Sequence, residues 1–357
     1  MQQKKVHVFV RRLRSDRFLY LAIGLYLLIS VLCLAGTRQW QEASYGVYFI
    51  PWTNAFLVVM PLLAIAIDIC MICLRFPRRR SLAYKRVFSA DRIHAFAAGL
   101  LLLAAMMIFQ GAFTSMKNLL PDFGGGFVDD VVQADIDHWL HFGLDPWRYL
   151  YAVAKAEWVL HVVEWSYNVL WFVICFGALF FVATSPKADG IRLRYFLMYM
   201  FVWVGLGNVV AGLFLSAGPA FYGFVTGDMG RFAEQLRFLA TSTDADSASA
   251  YQAYLWQIHV ADRAGIGGGI SAFPSVHVAL IMMNAMFVNE YSRTLGRIAF
   301  AYTAFIMMSS VYLAWHYAID GYVSVALVFL GHHALHFSMS ERSACGTAMQ
   351  VIKPQVA

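Results

Sequence analysis

Phe273-Pro274-Ser275-Val276-His277 and, further along, His316-Tyr317-Ala318-Ile319-Asp320 are the two stretches on which the reading of this chain turns. Each opens a long apolar run, so two histidines, a serine and a carboxylate stand where a membrane helix begins. Polar and ionisable groups at such a depth are costly and mark functional sites.

The rest of the chain explains why the runs are read as membrane helices. Of 357 residues, 60% are hydrophobic and 13% charged, and the mean hydropathy is +0.60. Those values exclude an ordinary soluble domain. A helix crosses the hydrocarbon layer with about 20 apolar residues, and eight segments qualify: 18–35, 54–74, 93–115, 158–183, 195–216, 274–290, 297–312 and 316–338. The expected fold is therefore an all-α integral membrane protein of about eight transmembrane helices. The basic head before the first segment also suits a signal peptide, but the apolar run is long and no small-residue cleavage site closes it, so a retained anchor is expected. The five cysteines are Cys33, Cys70, Cys73, Cys175 and Cys345; four lie in apolar segments, and no disulfide is expected.

The net charge of +6 reports topology rather than a nucleic-acid partner. Arg38, Lys117, Arg148, Lys155, Arg231, Arg237 and Arg263 fall on one set of alternate loops, and the other 20 Lys and Arg on the opposite set. Basic loops stay cytoplasmic. Both termini are then expected inside, with the bilayer and its lipids as partners and the plasma (inner) membrane as location. His277 and His316 both start their segments on the outer side, so a shared site opens to the periplasm or exterior.

Two outer loops are long. In 116–157 the acidic–aromatic stretch from Asp137 to Trp147 reads as a short interfacial helix beside a solvated acidic loop. In 217–273 the polar residues near 241–249 read as a mobile turn, while Gly267, Gly268 and Gly269 allow a backbone to approach a ligand closely or act as a hinge.

Segments six and seven run down and back, which returns His316 to the level of His277. Each histidine lies near a helix N-terminus, where unpaired amides favour an anion. Transfer of a phosphate ester needs a nucleophile, an acid for the departing alkoxide and donors for the phosphoryl oxygens. Neutral His316 suits the nucleophile, Asp320 the group that holds its far ring nitrogen, and His277 the acid. Ser275, with the amides of Gly268 and Gly269, would bind phosphate. No step calls for a metal or another cofactor. Asp68, His94, His161, Glu164 and Asn208 are expected to pair between helices, and His332, His333 and His336 to form a local group at the inner end.

At these residues the chain resembles the type 2 phosphatidic acid phosphatase superfamily, and more closely its inositol phosphorylceramide synthase-like branch. Ala217-Gly218-Pro219 and the Asp137-to-Trp147 stretch support the likeness. It implies a six-helix core within 93–338, two accessory helices and a basic head in 1–92, and a cytoplasmic tail at 339–357. It also implies a phosphohistidine at His316 and an acid at His277. The phosphatase pattern KxxxxxxRP is absent, and Ser309-Ser310 stand where that pattern has Ser-Arg. These departures fit the synthase-like branch, an inositolphosphotransferase using a phospholipid donor and a lipid alcohol acceptor. Arg263 and Arg237 are candidates for the missing cation. Hydrolysis of a lipid phosphate or isoprenyl diphosphate, with water as acceptor, is the near alternative; a lipid transporter or a non-enzymatic scaffold are the others.

Overall fold

The computed structural model describes residues 2–76 and 78–351, and those residues form helices and no strand. In chain order the principal helices are α1 (Gln2–Ser15), α2 (Arg17–Thr37), α3 (Phe49–Arg75), α4 (Ala90–Asn118), α5 (Asp130–Leu140), α6 (Pro146–Ala154), α7 (Glu157–Thr184), α8 (Arg192–Leu213), α9 (Ala233–Leu239), α10 (Ala248–Val260), α11 (Val276–Tyr291), α12 (Arg293–Tyr312) and α13 (Ala318–Val351). Seven helices among the described residues are long and apolar enough to cross a membrane, which makes this a multi-pass integral membrane protein. The sixth expected segment, α11, has only 16 residues. It is short because it is interior: Val278 to Phe287 are buried without a break. Helices α7, α8, α12 and α13 pack around it.

Helix α3 lies at the periphery, with 11% of its apolar window buried against 56% for α4. A face apolar all round and unpacked is stable only where hydrocarbon is the solvent. The last segment does not stop at 338, since α13 continues as helix to Val351; positions 352–357 of the expected tail lie outside the described residues.

The two long loops depart most from expectation. The first contains α5 and α6, as the aromatic pattern anticipated, but its acids are not solvated: Asp130 is 1% and Asp137 2% exposed. Asp130 accepts the amides of Ala217 (2.7 Å) and Gly218 (2.8 Å) and the Tyr317 hydroxyl (2.7 Å). Asp137 accepts the amides of Ala318 (2.6 Å) and Ile319 (3.0 Å) at the start of α13. A helix start with no partner for its amides is unstable away from water, and these carboxylates supply the acceptors. The second loop is folded as well. Ser247 caps α10, and Glu164 of α7 accepts the Ala248 amide at 2.8 Å and the Ser242 hydroxyl at 3.1 Å, which replaces the mobile turn with an anchored one. His161 stands 4.0 Å from Glu164, beyond hydrogen-bond distance, and 3.4 Å from Asp244.

These loops clamp the turn between α12 and α13. Gln235 of α9 donates to Val311 O (2.7 Å), Gln252 of α10 to Leu313 O (2.8 Å) and Tyr151 of α6 to Tyr312 O (3.2 Å), so the orphan carbonyls ending α12 are satisfied from three helices. Gly218 packs beneath the same turn at φ +93, and a Cβ there would lie 2.8 Å from Trp315 O. Ala217-Gly218-Pro219 is thus a close-packing device under the turn.

Two outcomes follow for stability. Asp137→Ala leaves two helix-start amides without acceptors, at about 1–3 kcal/mol each, and should lower the thermal midpoint of the purified protein. Burial pushes the Asp137 carboxyl above its ordinary range, against the pull of the Ala318 and Ile319 amides. A raised folded value means that the folded state holds the proton more tightly, so stability falls as pH rises from the ordinary carboxylate range to the raised one. Asp137→Asn should make that decline shallower in unfolding scans across pH.

Candidate active site

His316 is not in the first turn of a helix as expected; it lies in the clamped turn, two residues before α13 begins. Asp320, in the first turn of α13, reaches back so that its Oδ2 meets His316 Nδ1 at 3.1 Å. The same Oδ2 accepts the Tyr317 amide at 3.0 Å. His316 is 7% exposed and Asp320 fully buried. A carboxylate fixed on one ring nitrogen sets the tautomer and leaves the other nitrogen for chemistry.

Helix α11 starts against α13. The Ser275 amide donates to Asp320 O at 3.3 Å, and Ser324 Oγ sits 2.9 Å from Ser275 O and 2.7 Å from Asp320 O. That seam brings the two sequence motifs to one level. Ser275 Oγ accepts the Val278 amide at 3.3 Å, the geometry of a helix cap. His277, half-buried, stacks between Tyr167 (4.7 Å, 8°) and Trp171 (4.1 Å, 27°), and Trp171 Nε1 donates to His277 O at 3.0 Å. Tyr167 lies in a widened π-type turn of α7 at Ser166–Leu170, and Trp171 follows it directly. Such turns re-aim side chains and recur at functional sites.

The expected pair of free helix N-termini is reduced to one. Asp137 and Asp320 occupy the amides of residues 317–319, so the start of α13 is already neutralised. Positive charge comes instead from Lys117, near the end of α4. Its ammonium is within electrostatic reach of both His277 and His316. It has no carboxylate partner among the described residues and lies over the Phe113 ring at 5.9 Å. Gly269, at φ +81, makes room for it: a Cβ there would be 2.7 Å from Lys117 Cγ. The Gly268 amide is spent on Gly265 O at 3.1 Å, and Gly267 N donates to Tyr48 OH at 3.2 Å. The glycines are therefore a packing seat for Lys117 more than a row of free donors. Arg263 lines a polar cleft with Glu42 and Asp122 on the far side of Gly269, and Arg237 is an exposed residue whose Nε bonds Ala233 O.

The structure thus brings together His316, Asp320, His277, Ser275 and Gly269, and adds Lys117, Tyr167, Trp171, Asp130 and Asp137. A lysine followed by Asn118 at a helix end carries no motif; its one sequence signal is that it is one of only seven basic residues on its set of alternate loops. At the inner end, Glu290 joins His332 (2.8 Å) and Arg194, a local ion group far along α11 and α13 from the motifs. Asp68 pairs with Arg92 at 2.5 Å and Asn208 with the Tyr26 hydroxyl, as interhelical partners. Cys33, Cys70, Cys73 and Cys175 are free thiols.

No curated protein and no solved structure matches the chain. A family model described as the PAP2 superfamily matches residues 133–334, a span that holds α7, α8, α11, α12, both histidine motifs and Asp137, while Asp130 and Lys117 precede it. The match covers more than half of the chain, and the chain belongs to the PAP2 superfamily.

Proposed function

We propose that this protein is a phosphotransferase of the inositol phosphorylceramide synthase-like branch, moving a phosphoinositol or related head group from a phospholipid to a lipid alcohol through phospho-His316. The observation that carries this reading is the buried His316–Asp320 pair at 3.1 Å, with His277 and Lys117 in reach of the same space. PAP2 superfamily membership supports a lipid phosphatase or phosphotransferase activity in general terms. The absence of KxxxxxxRP and of the Ser-Arg pair favours the synthase-like branch.

In the first half-reaction the free His316 nitrogen attacks phosphorus and a P–N bond forms. The bond from phosphorus to the diacylglycerol oxygen breaks, and His277 gives that oxygen its proton. Lys117, Ser275 and the Gly269 amide hold the phosphoryl oxygens. In the second half the acceptor hydroxyl passes its proton to His277, its oxygen bonds to phosphorus and the P–N bond breaks. Asp320 retains the proton on His316 Nδ1 throughout. The excess of basic residues on the opposite loops supports an outer-leaflet site with both termini cytoplasmic.

The test is product analysis in liposomes supplied with phosphatidylinositol, phosphatidic acid or an isoprenyl diphosphate, with and without ceramide or diacylglycerol. A new phosphoalcohol lipid that needs the acceptor is the expected result. Free phosphate or head-group phosphate without an acceptor would make the enzyme a hydrolase, and no His316-dependent product from any donor would return the chain to transport or scaffolding. His316→Ala and His277→Ala should each abolish turnover with the protein still folded, and Asp320→Asn should cut kcat by about 10²-fold or more. Lys117→Gln, which keeps a polar side chain one bond shorter but not its charge, should lower kcat/KM by about 10–10³-fold, the range for losing one group that stabilises developing charge.

A further inference from the structure

A groove of about 280 Å³, bounded by α6, α12 and α13, is close to the roughly 300 Å³ at which small-molecule sites begin. Leu150 of α6 with Met307 and Met308 of α12 form much of its apolar lining. Val311 and Ala318 line it too, and these are residues whose backbone is held by Gln235 and Asp137. Val311 also lines the small cavity beside His316, so the groove backs onto the catalytic turn without containing either catalytic histidine. Met308 and Tyr322 are exposed on membrane-spanning helices, which turns the groove toward lipid.

The polar groups of the groove have a defined hydrogen-bond direction. His141 Nδ1 lies 2.7 Å from Asp137 O, a carbonyl that can only accept, so Nδ1 carries the ring proton. In the neutral ring Nε2 then has only a lone pair and accepts the Tyr322 hydroxyl at 2.9 Å. The Tyr149 hydroxyl is spent in the same way on His141 O at 2.8 Å. Both phenolic protons are used, while both phenolic oxygens keep lone pairs on exposed rings. The rim therefore offers acceptors and no donor. No Asp, Glu, Lys or Arg lines the groove, so nothing there balances an ionic head group.

We propose that the groove is a regulatory site for a neutral lipid with a free hydroxyl, separate from the site of reaction. One hydrocarbon chain lies along Leu150, Met307 and Met308, and the hydroxyl donates to the oxygen of Tyr149 or Tyr322. The occupant braces the His316 turn through Val311 and Ala318. A lipid without a donor, such as phosphatidylcholine, fills the apolar part and leaves the phenolic oxygens unbonded; an ammonium lipid brings a charge that no carboxylate of the lining meets. Lys117, His277 and Ser275 do not line the groove, and the site stands independently of the reaction proposed above. Diacylglycerol and ceramide both carry the required chemistry.

The experiment uses the full-length protein in phosphatidylcholine vesicles that contain a diacylglycerol with a photoactivated diazirine on one chain. Labelled peptides, mapped by mass spectrometry, should fall on residues 149–150 and 307–311. Unlabelled diacylglycerol or ceramide should suppress the label about tenfold, and the one that does so at the lower mole fraction identifies the source. A diacylglycerol whose hydroxyl is methylated should not compete, nor should phosphatidylethanolamine. Leu150→Trp and Met308→Trp each fill the groove and should lose the label, whereas His316→Ala should keep it. Hydrogen exchange reads the bracing: the amides of 311–319 should exchange about tenfold more slowly with diacylglycerol present in the wild type, and no more slowly in the filled variants. Competition by the methyl ether or by phosphatidylethanolamine, or a label that survives both filled variants, would overturn the site. Label without slowed exchange would overturn the bracing, and loss of label in His316→Ala would overturn its separation from the site of reaction.

Discussion

Carboxylate-to-amide bonding around the turn before α13 is the interaction on which the rest depends. A turn placed beneath a layer of apolar side chains exposes backbone amides to surroundings that cannot solvate them, at a cost of several kcal/mol for each group left bare. Asp137 accepts two amides at the start of α13, and Asp130 accepts two more at Ala217 and Gly218. With those groups satisfied, the turn that carries His316 is held within the bundle rather than out in solvent. The glutamines on α9 and α10 and the α6 tyrosine complete the same task for the carbonyls of α12.

That solution has an electrostatic price. Amides given to Asp137 are not available to an anion, and the dipole of α13 is already balanced at its start. The positive counterpart for a phosphate therefore has to be a side chain, and Lys117 supplies it from α4, a helix that carries neither motif. Its ammonium lies over the Phe113 ring and its stem beside Gly269, with no carboxylate partner among the described residues. His277 is handled in another way, by stacking on Tyr167 and Trp171, so its ring orientation is set by packing.

What the sequence disclosed and what it withheld follow from the range of the interactions. The membrane helices are written in composition and run length, and their places agree with expectation to within a few residues. His316 and Asp320 are four residues apart, and their pairing was legible because it is local. His277 and Ser275 were legible as a motif, though the cap bond of Ser275 and the stacking of His277 were not. Asp130 and Asp137 read as solvated acids because their partners lie more than eighty residues away. Lys117 was hidden for the same reason: nothing near it in the chain says that Gly269 will pack against it. The aromatic pattern announced a short helix in the first long segment, but α9 and α10 in the second were not legible, since they are stabilised by docking onto the turn rather than by their own periodicity.

Tyr48 ties together two parts of the chain that no local signal connects. Its hydroxyl meets Thr114 at 2.7 Å and receives the Gly267 amide, while Ser44 N donates to Ser115 Oγ and a Cβ on Gly111 would strike the Tyr45 backbone. The strap formed by residues 42–48 is thus wedged between the end of α4 and the glycine segment. The unit that inheritance marks out, residues 133–334, is narrower than the unit that physics assembles. Transplanting the histidine motifs with the matched span alone would carry the nucleophile and its acid but leave behind both the lysine and the wedge that keeps its seat in place.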